Sequence, residues 1–269
     1  MAGSSRGARA AADKALALAL DGVDRGALAE ELFAIAGTIE GDASLRRAFA
    51  DPSREGEAKR GLADRIFGGK VSESANTLMG EVVAQRWSSE GDFGDTLESL
   101  AVRALLANAE KAERVDTVED ELFRFERIIA ADAELRDTLS SRNTDAEGKA
   151  GVVRKLLEGK AQPETIRLAE RAVLVPRGRR LDRVLESYLK LATERRDELK
   201  ALVTTAVPLD ERQQSRLASA LRSIYGKKVT LQIVLDKGIV GGIRVQVGDE
   251  VVDGTVVRRL DTVRRDLAG

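Results

Sequence analysis

Histidine and cysteine are both absent from the 269 residues. Their absence removes zinc sites with nitrogen or sulfur ligands, thiolate nucleophiles and His-based triads. Disulfides are excluded as well. An enzyme built on this chain would depend on carboxylates, Lys, Ser or Tyr alone. Aromatic residues make up only 3%, with one Trp, two Tyr and six Phe, and there are four Pro. No apolar run approaches the roughly 20 residues needed to cross a bilayer. The stretch Leu16 to Leu20 is flanked by Asp13 and Asp21 and is too short for a signal-peptide core. The opening MAGSSRGAR is small, polar and basic, as in a frayed tail or the lead into a first helix. Net charge is −1, which gives the whole chain no electrostatic pull toward nucleic acid. What remains is rich in Ala, Leu, Val, Arg and Glu, with 43% hydrophobic residues. That balance favours helices packed through aliphatic stripes.

The chain repeats itself at an offset of ninety residues. Glu31-Leu32-Phe33 falls on Glu121-Leu122-Phe123, Asp42-Ala43 on Asp132-Ala133, and Leu45-Arg46 on Leu135-Arg136. With Ile39, Glu57, Lys59, Gly61 and Gly69-Lys70 this gives 13 identities without a gap between positions 31 and 70. After a two-residue slip, Leu97-Glu98-Ser99 falls on Leu185-Glu186-Ser187. Each copy has the pattern of a small helical bundle. Val115, Val118, Leu122, Phe125 and Ile129 step by three and four along one helix face. A short helix around 133–139 follows, then an apolar face through Val152, Val153, Leu156 and Leu157 that Gly159 ends. Pro163 opens another helix, and Leu181, Val184, Leu185, Tyr188 and Leu191 line the last. In the first copy Leu97, Leu100, Ala104 and Leu105 mark a closing helix that can also open the second.

Beyond residue 200 the period changes. Leu202 to Val207 predicts a strand ended by Pro208, and Asp210 with Gln213 predicts a capping box on a helix through Leu217, Leu221 and Ile224. Apolar residues then alternate at Val229, Leu231, Ile233 and Leu235, and again at Ile243, Val245 and Val247, predicting a hairpin of two strands. Gly248-Asp249 makes a tight turn, Asp253 can cap a final helix, and Val256, Leu260, Val263 and Leu267 line that helix. The expected fold is therefore mainly α, with two tandem helical bundles at 1–105 and 106–200 and a small α+β domain with a β-hairpin at 201–269.

The candidate sites divide into structural and interacting residues. Gly238 to Gly242 leads into a strand, whereas a phosphate-binding loop must lead into a helix with Lys and Ser or Thr. Asp249, Glu250 and Asp253 are explained by a turn and a cap, and hard cations need six or more oxygens. Paired acids such as Glu30-Glu31 and Asp120-Glu121 lie opposite apolar stripes and suit a solvated face. No catalytic, cofactor-binding or metal-binding residue is expected. The charges are more informative. Residues 167–183 hold six Arg against Glu170 and Asp182, net +4, while the matching residues 77–95 hold Arg86 against four acids, net −3. Such divergence is either drift on a wet surface or a sign that the copies face different partners. On the second reading Arg177, Arg179, Arg180 and Arg183 are candidate partner contacts. Trp87 is either core or, just before a loop, a further contact. No aromatic residues interleave with the arginines, so RNA is not the expected partner. By segment, net charge runs from −4 over 1–105, through 0 over 106–200, to +3 over 201–269. That polarity suits a linker between two assemblies.

The C-terminal signals resemble those of the delta subunit of F-type ATP synthase, a family that includes the mitochondrial oligomycin-sensitivity-conferring protein. The residues carrying the resemblance are Asp236, Gly241, Gly242, Ile243, Val245, Gly248, Asp249, Val252, Asp253 and Gly254, with Val207-Pro208-Leu209 ahead of them. Residues from about 92 onward match the layout of a single-copy member, and the first ninety match an added bundle, as in the longer bacterial version. Where many members carry Asn-Gly-Arg-Leu, this chain has Arg177-Gly178-Arg179-Arg180-Leu181. The resemblance implies a non-catalytic stator subunit without a cofactor. Its implied partners are the N-terminal segment of an alpha subunit and the b-type peripheral stalk, on the cytoplasmic face of a bacterial cell membrane. The rival reading is a general helical adapter unrelated to ATP synthase.

Overall fold

The computed structural model describes residues 3–141, 144–197, 199–236, 238, 242–247 and 250–253. They fall into two compact units, Met1–Arg196 and Asp197–Gly269. The first is helical. Its first half carries α1 (Gly3–Ala19), α2 (Arg25–Gly41), α3 (Ala43–Ala50), α4 (Gly56–Phe67) and α5 (Glu73–Ala84). The long α6 (Glu90–Lys111) follows. The second half carries α7 (Val115–Ala131), α8 (Ala133–Ser140), α9 (Ala146–Leu157), α10 (Pro163–Leu174) and α11 (Leu181–Arg196).

Helices α2 to α5 and α7 to α10 start and stop ninety residues apart, and their local chemistry is duplicated with them. Asp42 caps α3 by accepting from the Ser44 and Leu45 amides, and Asp132 caps α8 by accepting from Leu135. Glu31 accepts from the Ser72 amide ahead of α5, and Glu121 from the Gln162 amide ahead of α10. Gly69 and Gly159 both have φ of 71°, a left-handed conformation that disfavours any side chain. An offset of ninety also places α1 on residues 93–109, inside α6. Helix α6 therefore closes the first copy and opens the second. The expected boundary at 105/106 falls within it, and the two copies share one core instead of forming separate bodies.

The second unit holds β1 (Leu199–Thr205), α12 (Glu211–Tyr225), β2 (Val229–Leu235), β3 (Ile243–Val247) and β4 (Glu250–Asp253). The expected division at 200/201 falls inside β1, which begins earlier than the sequence suggests because the Leu199 amide donates to the Lys228 carbonyl beside β2 (2.8 Å). Asp210 and Gln213 form the predicted capping box, and Gly226 ends α12. The sheet order is β2-β1-β3-β4. Strand β1 runs parallel to β2 and antiparallel to β3. This corrects the predicted hairpin: β2 and β3 are not neighbours, because β1 lies between them. The observed hairpin is β3 with β4, which pair with Val247 opposite Glu250. Helix α12 packs on the sheet face made by Ala201, Val203, Val229, Val245 and Val247. Leu221 is buried there, while Ile224, expected on the same stripe, is exposed in the last turn.

Candidate interaction surfaces

The arginine-rich segment 167–183 faces the first copy across the helical core. Arg167 on α10 forms a two-pronged pair with Glu30 on α2, both bonds at 2.6 Å. Arg171, one turn on, donates from Nε and Nη2 to the Glu98 carboxylate on α6 at 3.0 and 2.6 Å. The Tyr188 hydroxyl on α11 donates to the same carboxylate. Arg171 and Glu98 side chains are only 7% and 4% exposed. Both guanidinium groups also lie over the Phe33 ring, at 5.2 and 5.1 Å from its centroid. A buried charge pair of this kind survives only where shape and hydrogen bonds satisfy it. Burial first, then the Glu98 carboxylate, pushes the Tyr188 hydroxyl well above the usual phenol range.

The loop between α10 and α11 completes the seam. Arg177 reaches Glu40 on α2 and Asp95 on α6, each at 3.0 Å, and its side chain is 8% exposed. Its guanidinium lies where a Cβ on Gly94 would be, so the glycine is needed for this approach. Arg179 lies 4.0 Å from Asp95. The charge divergence between the copies is thus met inside the molecule: the positive segment of one copy faces acids of the other. Arg177 is spent on that seam. Arg180 and Arg183 stay largely exposed, paired locally with Asp182 and Glu186. Trp87 is 1% exposed, donates its indole N–H to the Val82 carbonyl and packs at 5.6 Å from Phe93. It is a core residue, which corrects its reading as a partner contact. The sequence reading missed Glu98 and Tyr188. The available signal was a carboxylate at position 98, beside Leu97, Leu100 and Ala101 on an apolar stripe.

In the second unit Asp236 directly follows β2. Its amide donates to the Thr205 carbonyl at 2.9 Å, and its side chain accepts from the Gly238 amide at 2.8 Å. Gly242 precedes β3 with φ of 78°. Asp253 ends β4 opposite Arg244, and the helix it was expected to cap lies outside the described residues. Gly241, Gly248, Asp249, Gly254 and the expected final helix lie outside the described residues. The sheet face turned away from α12 leaves Leu202, Val234 and Val251 exposed. On that face they are interspersed with Thr204, Gln232, Arg244 and Gln246.

Among the described residues no helix is long and apolar enough to cross a membrane. The family model of the ATP synthase delta (OSCP) subunit matches residues 102–267. The ATP synthase subunit delta of Streptomyces griseus is 45% identical over 271 residues, covering 100% of both chains. That of Streptomyces coelicolor is 46% identical over 270 residues, with 100% of this chain and 98% of the other covered. That of Kineococcus radiotolerans is 40% identical with the same coverage. These relatives align through the first hundred residues, ahead of the family match, so the tandem helical half is common to them. The chain belongs to the ATP synthase delta (OSCP) subunit family.

Proposed function

We propose that this stator subunit is the non-catalytic connector between the catalytic head and the b-type stalk of a bacterial F-type ATP synthase. The helical unit takes the N-terminal segment of an alpha subunit as an amphipathic helix lying between bundle helices. The sheet unit takes the far end of the b-type stalk. The assembly sits on the cytoplasmic face of the cell membrane and is held there through its partners. The reading is carried by one observation: a single delta-family chain has two separately folded units, and the second leaves Leu202, Val234 and Val251 uncovered on one sheet face. A connector must hold under torque without turnover. Nanomolar attachment corresponds to about 12 kcal/mol, within reach of spread apolar contacts, and tethering two sites on one chain adds avidity.

Calorimetric titration of the full chain with an alpha N-terminal peptide, and separately with the soluble part of the b-type subunit, tests this. The double variant Leu202→Asp/Val234→Asp is expected to weaken binding of b by more than tenfold while leaving the alpha peptide unaffected. Loss of both affinities together, or of neither, would contradict the assignment of partners to units.

A further inference from the structure

Strands β2 and β4 form the two edges of the sheet, and their chemistry differs. Strand β4 is four residues long and carries Glu250 and Asp253. Charged side chains on a short strand keep an edge from pairing with another chain. Strand β2 is seven residues long, VTLQIVL, with no charge, no proline and no glycine. Among the described residues it pairs with β1 alone. The ladder to β1 fixes which of its backbone groups face outward. The Leu199 amide donates to the Lys228 carbonyl at 2.8 Å, and the Asp236 amide to the Thr205 carbonyl at 2.9 Å. Alternate residues of a strand turn their N–H and C=O to opposite sides, so the even-numbered residues from Lys228 to Asp236 face β1. Val229, Leu231, Ile233 and Leu235 therefore hold theirs toward the open edge. A row of donors and acceptors at that spacing is satisfied by another extended strand.

The sequence of β2 makes it its own complement. Laid antiparallel against β2 of another molecule of this chain, with the two-fold axis at Gln232, it sets Val229 opposite Leu235 and Leu231 opposite Ile233. All four outward N–H groups and all four outward C=O groups of each strand are then matched. A shift by two residues leaves one outward residue at each end without a partner. The apolar pairs share the sheet face that carries α12, and Leu235, 57% exposed in one molecule, is covered there. On the opposite face Thr230 meets Val234 and Gln232 meets its own equivalent. Just beyond the strands the register sets Lys228 opposite Asp236, unlike charges at both ends. We propose that β2 is an interface between two molecules of this chain, joining their sheets edge to edge with Gln232 on the two-fold axis. Such a pair is closed, since each β2 edge is used up and only the acidic β4 edges remain. This inference stands independently of which partner each unit binds.

The full chain has no cysteine, so single introduced thiols report the register. A directly opposed pair of this kind brings Cα atoms to about 4.5 Å, within the reach of a disulfide. Under mild oxidation Gln232→Cys is expected to cross-link at least tenfold faster than Gln246→Cys, which is exposed on the same sheet face but lies on the inner strand β3. Thr230→Cys and Val234→Cys should cross-link when mixed and not when alone. Sedimentation equilibrium of the native chain should give a monomer–dimer Kd on the order of 0.1 mM, in keeping with a small interface. Gln232→Lys, which places two like charges on the axis, should raise that Kd at least tenfold with an unchanged circular dichroism spectrum. Equal cross-linking at 232 and 246, or an unchanged Kd in Gln232→Lys, would overturn the proposal. So would a native chain that stays monomeric up to about 1 mM while the thiol of Gln232→Cys is shielded only by the soluble part of the b-type subunit. That result would give the edge to a strand of that partner.

Discussion

Removing Arg171 should loosen the seam that makes the two helical copies one body. Its guanidinium and the Glu98 carboxylate are almost wholly buried and bonded to each other. Deleting one partner strands the other charge, at a cost of about 3–5 kcal/mol. That is a large part of the roughly 5–15 kcal/mol by which domains are stable. Replacing both, as Arg171→Met/Glu98→Met, also removes the cost of burying two charges. What remains is a Tyr188 hydroxyl without its acceptor, about 1–3 kcal/mol. The double variant should therefore be more stable than either single variant would suggest, with a coupling of several kcal/mol. Urea unfolding followed by two probes reads this directly. Trp87, the single tryptophan, reports the first copy, and far-UV circular dichroism reports all helices. In the native sequence the helical unit should unfold in one step by both probes. In Arg171→Met the tryptophan transition should move to lower urea. Single variants costing less than about 1 kcal/mol, or a double variant costing their sum, would refute the reasoning.

The folded chain holds the Tyr188 proton more tightly than the unfolded chain does, so above about pH 10 stability falls as pH rises. Tyr188→Phe should flatten that alkaline loss in melts followed by Trp87 fluorescence. Burial lowers the pKa of Lys59, so the unfolded chain binds the extra proton in the window below 10.5 and stability rises with pH there. Lys59→Met should remove that rise in the same pH series. Phe93→Ala should cost about 3–5 kcal/mol because the ring is fully enclosed. Leu181→Ala removes a smaller side chain that is 6% exposed and should cost less, and comparing the two denaturation midpoints checks the order.

The duplicated helices were legible because a ninety-residue register preserves both the apolar steps and the caps, as Asp42 and Asp132 show. The Asp210–Gln213 box was legible because it is completed within four residues. Strand pairing was not. Alternation at Val229–Leu235 and Ile243–Val247 fixes which face each strand buries, but it does not say that β1 lies between them. Strand β4 has only four residues, two of them acidic, too short for a period to emerge. The arginine cluster was found as a charge count, but the acids that hold Arg167, Arg171 and Arg177 lie 73 to 137 residues away in the same chain, a distance no local pattern spans. Trp87 was ambiguous because a lone ring before a loop has no local pattern to place it; its ring partner Phe93 lies on α6 and in turn packs near Phe49 on α3.

The connector role is tested most directly by reconstitution. Membranes stripped of catalytic heads are recombined with purified heads, with and without the full chain, and ATP-driven proton uptake is followed by the quenching of a pH-sensitive dye. The account predicts uptake only when the chain is present, with ATP hydrolysis by the heads continuing in its absence. Equal proton uptake without the chain would contradict it.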